Sequence, residues 1–229
     1  METPMRYTPL SELEARQEKL RQHLRKENID GALILQKADL FYFSGTAQQA
    51  NLYIPADGEP VLMVRKDFKR ASAESAVENI VSFSGPGEIP GILRQHGLAV
   101  PERLGMELDV IPANLYFSFA QIFDNTDIRD ISTAIRMIRA VKSDYEIGRI
   151  REAAGFSDRL AASVPGLLKE GIPEIELAGQ IEAEARKMGH QGIVRMRLWG
   201  SELFYGHVMA GPSAAVPSYL ASPTGGPGV

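Results

Sequence analysis

The sequence predicts an α/β fold: a mixed sheet with helices on both faces over residues 1–132, then an incomplete α+β domain over 143–229. Three observations carry this. Short apolar runs of strand type alternate with amphipathic stretches of helical period, the pattern of a sheet covered by helices. One Asp-Gly turn sits between two apolar runs, which inserts an antiparallel hairpin. A capped helix start at Ser143 follows a basic stretch, which makes 133–142 a linker between two bodies.

The elements justify themselves in order. Ser11 with Glu14 three residues on has the form of a capping box, and Leu13, Leu20 and Leu24 then mark one apolar stripe on a charged helix. Ala32-Leu33-Ile34-Leu35 is a buried-type strand, and residues 39–43 form a brief helix closing on Gly45. Residues 51–54 and 59–64 are the arms of the hairpin around Ala56-Asp57-Gly58. Residues 66–77 read as a helix, 80–83 as a strand, 88–96 as a helix, 103–108 as a strand, 112–123 as a helix and 128–131 as a last strand. A short apolar, strand-like lead at Ile135 precedes the hinge.

In the second body Ile147, Ile150 and Ala154 recur at helical spacing behind Ser143, and the helix runs to about Pro165. A second helix spans 173–188 with Ile175, Leu177, Ala178, Ile181 and Ala185 inward. Val194, Met196 and Leu198 alternate with Arg195 and Arg197 as a half-buried strand over 192–199, with 203–209 as its partner. Residues 210–229 are rich in Gly, Ala, Ser and Pro. So few strands leave an open sheet edge, so the chain is expected to be a piece of a longer fold.

Composition narrows the function classes. The 229 residues are 44% hydrophobic and 24% charged, ordinary for a globular protein. A net charge of -4 without a Lys/Arg cluster argues against a general nucleic-acid surface. With no cysteine there are no disulfides, zinc–thiolate sites or thiol nucleophiles, which fits a cytoplasmic protein. No apolar run has the roughly 20 residues needed to span a bilayer, and the amino terminus lacks a signal-peptide core.

Chemistry-bearing motifs are sparse. Gly85-Pro86-Gly87 lacks the Lys-Ser/Thr of a phosphate loop and reads as a turn, and 225–228 reads as a flexible loop. The four histidines are scattered. His96 and His190 lie near helix ends, where a capping role suffices. His207, in Phe204-Tyr205-Gly206-His207-Val208, is the candidate catalytic histidine, with Glu202 and Ser218 as candidate partners. Glu174, Glu176, Glu182 and Glu184 read as a solvated helix face. No metal site is expected within the chain.

The segment Arg139-x-x-Lys142-Ser143-x-x-Glu146-Ile147-x-x-Ile150-Arg151-x-Ala153-Ala154 resembles the junction between the two domains of the creatinase/prolidase/aminopeptidase P family. Asp30-Gly31-Ala32-Leu33-Ile34, the Asp39–Gly45 segment, Gly58-Glu59-Pro60-Val61-Leu62, Leu104-Gly105-Met106-Glu107 with Ile111-Pro112, and Gly171-Ile172-Pro173-Glu174 follow in the family's order. The resemblance implies a creatinase-like amino-terminal domain and the opening of a pita-bread catalytic domain. It further implies a metallo-exopeptidase that hydrolyses peptide bonds next to proline, two divalent ions (Mn, Co or Zn) and a homodimer whose amino-terminal domains help cover the partner's site.

The family's metal ligands lie beyond the position matching Val229, so this chain alone is expected to be inactive. One departure is visible. Where the family places a histidine in Gly-x-Asn-x-x-x-x-His-Tyr, this chain has Gly211-Pro212-Ser213-Ala214-Ala215-Val216-Pro217-Ser218-Tyr219. Serine cannot replace an imidazole's proton chemistry at neutral pH, and His207 is the candidate substitute. The alternatives are a non-catalytic peptide- or protein-binding member of the fold, of which histone-chaperone domains are examples, and a creatinase-like amidinohydrolase.

Overall fold

Six short strands, two of the inner ones apolar and buried throughout, decide the architecture. A computed structural model describes residues 7–192, 196–197 and 208–216. It divides into two compact units, one running to Val141 and including Arg197, the other starting at Lys142.

In the first unit the strands are β1 (Gly31–Ile34), β2 (Ala50–Pro55), β3 (Val61–Val64), β4 (Asn79–Ser82), β5 (Arg103–Met106) and β6 (Asp127–Asp130). They form one sheet in the order β4-β3-β2-β1-β5-β6. Only the β1–β2 and β2–β3 pairings are antiparallel, so β2 alone runs against the rest. The sheet is mixed, as the sequence predicts.

Successive side chains on a strand point to opposite faces, and the core splits accordingly. Ala32, Ile34, Leu52, Ile54, Leu62 and Val64 face one side. There they meet α1 (Leu10–Lys26), α2 (Lys37–Ser44), α3 (Phe68–Glu74) and α6 (Ser132–Ala140) through Leu13, Leu20, Leu24, Leu40, Phe43, Ala71 and Ile135. Leu33, Tyr53, Val61, Met63, Leu104 and Met106 face the other side. They meet Ile89, Ile92 and Leu93 of α4 (Ile89–Gln95) and Phe119 of α5 (Ala113–Ile122). Leu13, Leu20 and Leu24 have no exposed surface, and each buried leucine contributes about 2 kcal/mol.

Two turns need their residues. Gly45 ends α2 with φ 78°, a left-handed conformation glycine adopts without a Cβ clash. Gly58, at φ 114°, closes the β2–β3 hairpin.

The structure corrects several local expectations. Helix α1 starts one residue before Ser11, with extended Pro9 as its cap, so Ser11 already lies inside the helix and makes no capping hydrogen bond. The strand-like lead at Ile135 is instead part of α6. Ile131, Ile135 and Ile138 recur at helical spacing against the core, and the Asp130 carboxylate accepts from the Ser132 amide at 2.9 Å at the helix start.

In the second unit the Ser143 capping box forms at the start of α7 (Asp144–Leu167). The Glu146 amide donates to Ser143 Oγ at 3.1 Å, and the Ser143 amide donates to Glu146 Oε2 at 2.9 Å. A turn through Gly171 leads to α8 (Glu174–Lys187), which buries Leu177, Ala178 and Ala185. Ile175, expected inward, is 83% exposed, because it lies off the arc that Leu177, Ala178 and Ala185 turn inward. Ile150 is likewise exposed on α7, a helix that buries no residue. A single turn, α9 (Gly211–Ala214), lies near Glu174, whose Oε1 accepts from the Ala210 amide at 2.6 Å. The strand expected over 192–199 and its partner over 203–209 lie largely outside the described residues, and the glycine-rich loop at 225–228 wholly so.

Candidate functional site

Parallel pairing of β1 and β5, with Gly31 opposite Leu104 and Ala32 opposite Gly105, makes both chains leave the sheet on the same side. The exits are residues 35–36 and 107–109, and the crevice beyond the carboxyl ends of such strands is where open α/β sheets bind ligands. Gly105 is needed for this packing: a Cβ there would lie 2.8 Å from Ile131 Cγ2.

Glu107 is the first residue past β5 and has no exposed surface. Its Oε2 accepts from the Leu35 amide at 2.9 Å and more weakly from the Gln36 amide at 3.5 Å. Its Oε1 is buried with no hydrogen-bond partner among the described residues. Burial pushes this carboxyl up to about 8 and the neighbouring Asp39 adds to the rise, against the pull of the backbone donors and Arg197. Burial therefore favours the neutral acid at Glu107.

Asp39 lies in the first turn of α2, whose amino end is held by Gln36 Oε1 accepting from the Ala38 and Asp39 amides at 2.6 and 3.0 Å. Its carboxylate is fully buried and is gripped from two sides, by Arg139 of α6 and by Arg197 Nε at 2.7 Å. Arg197 also donates from Nη1 to Asp109 at 2.6 Å, and Arg136 stands 3.8 Å from the same carboxylate. Burial would raise the Asp109 carboxyl, but the hydrogen bonds from Arg197 and Ser132 and the charges of Arg197 and Arg136 together hold it below its ordinary range. Burial works against the Arg197 charge too, yet its bonds to Asp109 and Asp39 hold it on more firmly than usual. Arg139 lies 5.5 Å from the centre of the Tyr42 ring, and Arg16 lies 4.2 Å from it.

This cluster is a clamp. Three guanidinium groups hold two carboxylates beside a neutral acid, and they fix the β1–α2 connection, the β5 exit and α6 against one another. The arrangement is that of ion pairs: Asp39 and Asp109 are both taken by arginines, and burial favours the neutral form of Glu107. Among the described residues no group of three His, Asp or Glu is placed to hold a metal.

The candidate catalytic residues His207 and Ser218, and Glu202, lie outside the described residues. His190 accepts from the Gly192 amide at Nδ1, 3.0 Å away, and His96 caps the end of α4. Sequence reasoning missed the clamp. Local pattern marks Asp39 and Glu107 only as charges adjoining apolar runs and puts Arg197 on the solvent side of a strand, whereas its side chain is 9% exposed.

A profile of the creatinase/prolidase N-terminal domain matches residues 16–141, more than half of the chain. The chain belongs to the creatinase/prolidase N-terminal domain family. Within that family it is 28% identical over 172 residues to an Xaa-Pro dipeptidase of Pyrococcus furiosus, covering 74% of this chain and 47% of the relative. An uncharacterized peptidase of Staphylococcus epidermidis is 27% identical over 176 residues, covering 72% and 48%. Among solved structures, the prolidase of P. furiosus superposes with a TM-score of 0.65 at 25% identity, covering 76% of this chain and 53% of that one. An Xaa-Pro dipeptidase of Bacillus anthracis shares the fold, with a TM-score of 0.70 at 22% identity, covering 78% and 50%. The chain spans about half the length of the curated relatives it matches.

Proposed function

We propose that this chain is the amino-terminal part of a prolidase-like metallo-exopeptidase that, at its relatives' full length, hydrolyses peptide bonds next to proline. One observation carries the reading. The similarity to the P. furiosus Xaa-Pro dipeptidase extends over 172 residues, too many to fit within 16–141, so it reaches beyond the amino-terminal domain. A catalytic body opening at 143, directly after α6 (Ser132–Ala140), belongs to this proposal. So do the pair of divalent ions, the homodimer and a cytoplasmic location. Absence of cysteine favours a reducing compartment, and among the described residues no helix is long and apolar enough to cross a membrane.

In this reading the clamp has a positioning role. It sets the β1–α2 connection rigidly at the carboxyl edge of the sheet, and it performs no step of hydrolysis. A second reading, a member that binds peptides without cleaving them, is favoured by Ser218 standing where the family places histidine.

Intact mass is measured first, because it states whether the purified protein ends at Val229. Proline release from Xaa-Pro dipeptides is then followed with Mn, Co or Zn added, on this chain and on a version carried to the relatives' length. We expect no turnover by the former and metal-dependent release by the latter. Saturable Xaa-Pro binding without release by the longer protein supports the binding reading and overturns the peptidase one. Unchanged turnover in a His207→Ala variant of that protein removes His207 from the reaction.

A further inference from the structure

The opposite edge of the same sheet carries a cleft that the clamp does not use. It has a volume of about 720 Å³, within the range of small-molecule sites, and lies wholly within the first unit, at the amino ends of β1 and β5 and the end of β2. Its floor combines opposite charges with one buried hydroxyl. Asp30 Oδ2 accepts from the amides of Glu102 and Arg103, both at 2.8 Å, which fixes the carboxylate in place. Arg103 lines the cleft and donates from Nη1 to the Asn28 carbonyl at 3.2 Å.

Tyr53 is 2% exposed and lies along β1 with its ring over Gly31. A Cβ at Gly31 would stand 2.3 Å from the tyrosine hydroxyl, so a residue without a side chain is what lets this ring reach the cleft. Burial, and then the charge of Asp30, push the phenol upward, which keeps it a hydrogen-bond donor. Leu98, Val100 and Pro101 supply an apolar wall. A carboxylate and a guanidinium, each anchored through the backbone, a tyrosine hydroxyl and one apolar wall together form the complement of a small zwitterion with an apolar side chain.

We propose that this cleft is a second binding site, for a zwitterionic α-amino acid or dipeptide, whose ammonium meets Asp30, whose carboxylate meets Arg103 and the Tyr53 hydroxyl, and whose side chain lies on Leu98, Val100 and Pro101. The proposal goes beyond the peptidase reading and does not depend on it, since every group belongs to the amino-terminal unit and no metal is involved.

The test is calorimetric and NMR titration of the 229-residue chain, without metal, with L-leucine and with leucyl-leucine. N-acetyl-leucine, leucinamide and N-acetyl-leucinamide serve as probes lacking one or both charges. Saturable binding of the free amino acid, the dipeptide or both is expected, with amide shifts centred on residues 98–103. The capped probes are expected to bind about tenfold more weakly per charge removed, the size of one exposed charged hydrogen bond. Which of the two ligands binds tells the source of the zwitterion. Arg103→Gln, at an exposed position, is expected to abolish the preference for leucine over leucinamide while leaving the melting temperature unchanged, and Tyr53→Phe to weaken both ligands. No saturation by either ligand up to ~10 mM, where specific recognition has faded, overturns the proposal. So does N-acetyl-leucinamide binding as well as leucine, or Arg103→Gln binding leucine as the parent does. None of these outcomes bears on peptide hydrolysis.

Discussion

Replacing Glu107 by glutamine separates a neutral buried acid from an ionised one. The amide has nearly the shape of the protonated carboxyl, and its Oε1 can keep accepting from the Leu35 and Gln36 amides. In the fold the carboxyl is raised from 4.5 to about 8, with burial the leading cause. A raised folded-state value means the native protein binds the proton more tightly than the unfolded chain. The stability this confers is full below pH 4.5 and is lost as pH climbs through about 8. With about 1.4 kcal/mol per pH unit, the wild type should lose roughly 3–4 kcal/mol between pH 5 and pH 8 from this group alone. Glu107→Gln has no proton to lose there.

The assay is urea unfolding followed by far-UV circular dichroism at intervals from pH 5 to 8, with amide exchange at Leu35 as a local check. The variant is expected to match the wild type within about 1 kcal/mol at pH 5 and to exceed it by about 3 kcal/mol at pH 8. Parallel profiles, with the same difference at both ends, would refute the reasoning, because Glu107 would then be ionised in the fold.

Asp39→Asn leaves the Arg139 and Arg197 guanidinium groups facing a buried neutral amide, and should cost about 3 kcal/mol in the same unfolding assay. Gly31→Ala forces a methyl to within 2.3 Å of the Tyr53 hydroxyl, and overpacking of this kind costs about 1–3 kcal/mol. Adding Tyr53→Leu should recover part of that loss, and a double-mutant cycle with no coupling would place the strain elsewhere. Ser143→Ala removes one arm of the α7 capping box and should lower stability by about 1 kcal/mol, read as faster exchange of the Glu146 amide.

The order of strands and helices was legible because each element carries its own period. The Leu13, Leu20 and Leu24 stripe, the Ala56-Asp57-Gly58 hairpin and the left-handed Gly45 are local facts, and local chemistry is written in neighbouring residues. The misreadings share the opposite cause. Ser11 has the letters of a capping box, but the backbone at Pro9 set the helix start. The apolar run at Ile135 reads as a strand from its neighbours alone, and only packing on the first unit's core reveals the one-sided stripe of a helix. Ile175 has the spacing of a buried residue, but spacing cannot say how wide an arc of a helix is covered.

Sequence alone determined the fold class and the family, because both are sums of many local patterns, each weak, in a characteristic order. Only the tertiary structure decided the clamp and the cleft. Asp39, Glu107, Asp109, Arg139 and Arg197 are up to 158 positions apart, and no residue type or period marks a charge that will be buried beside its partner. The protonation of Glu107 is likewise decided by what surrounds it. The free energy of a proton depends on the dielectric and charges around it, and these exist only once β1 and β5 lie side by side.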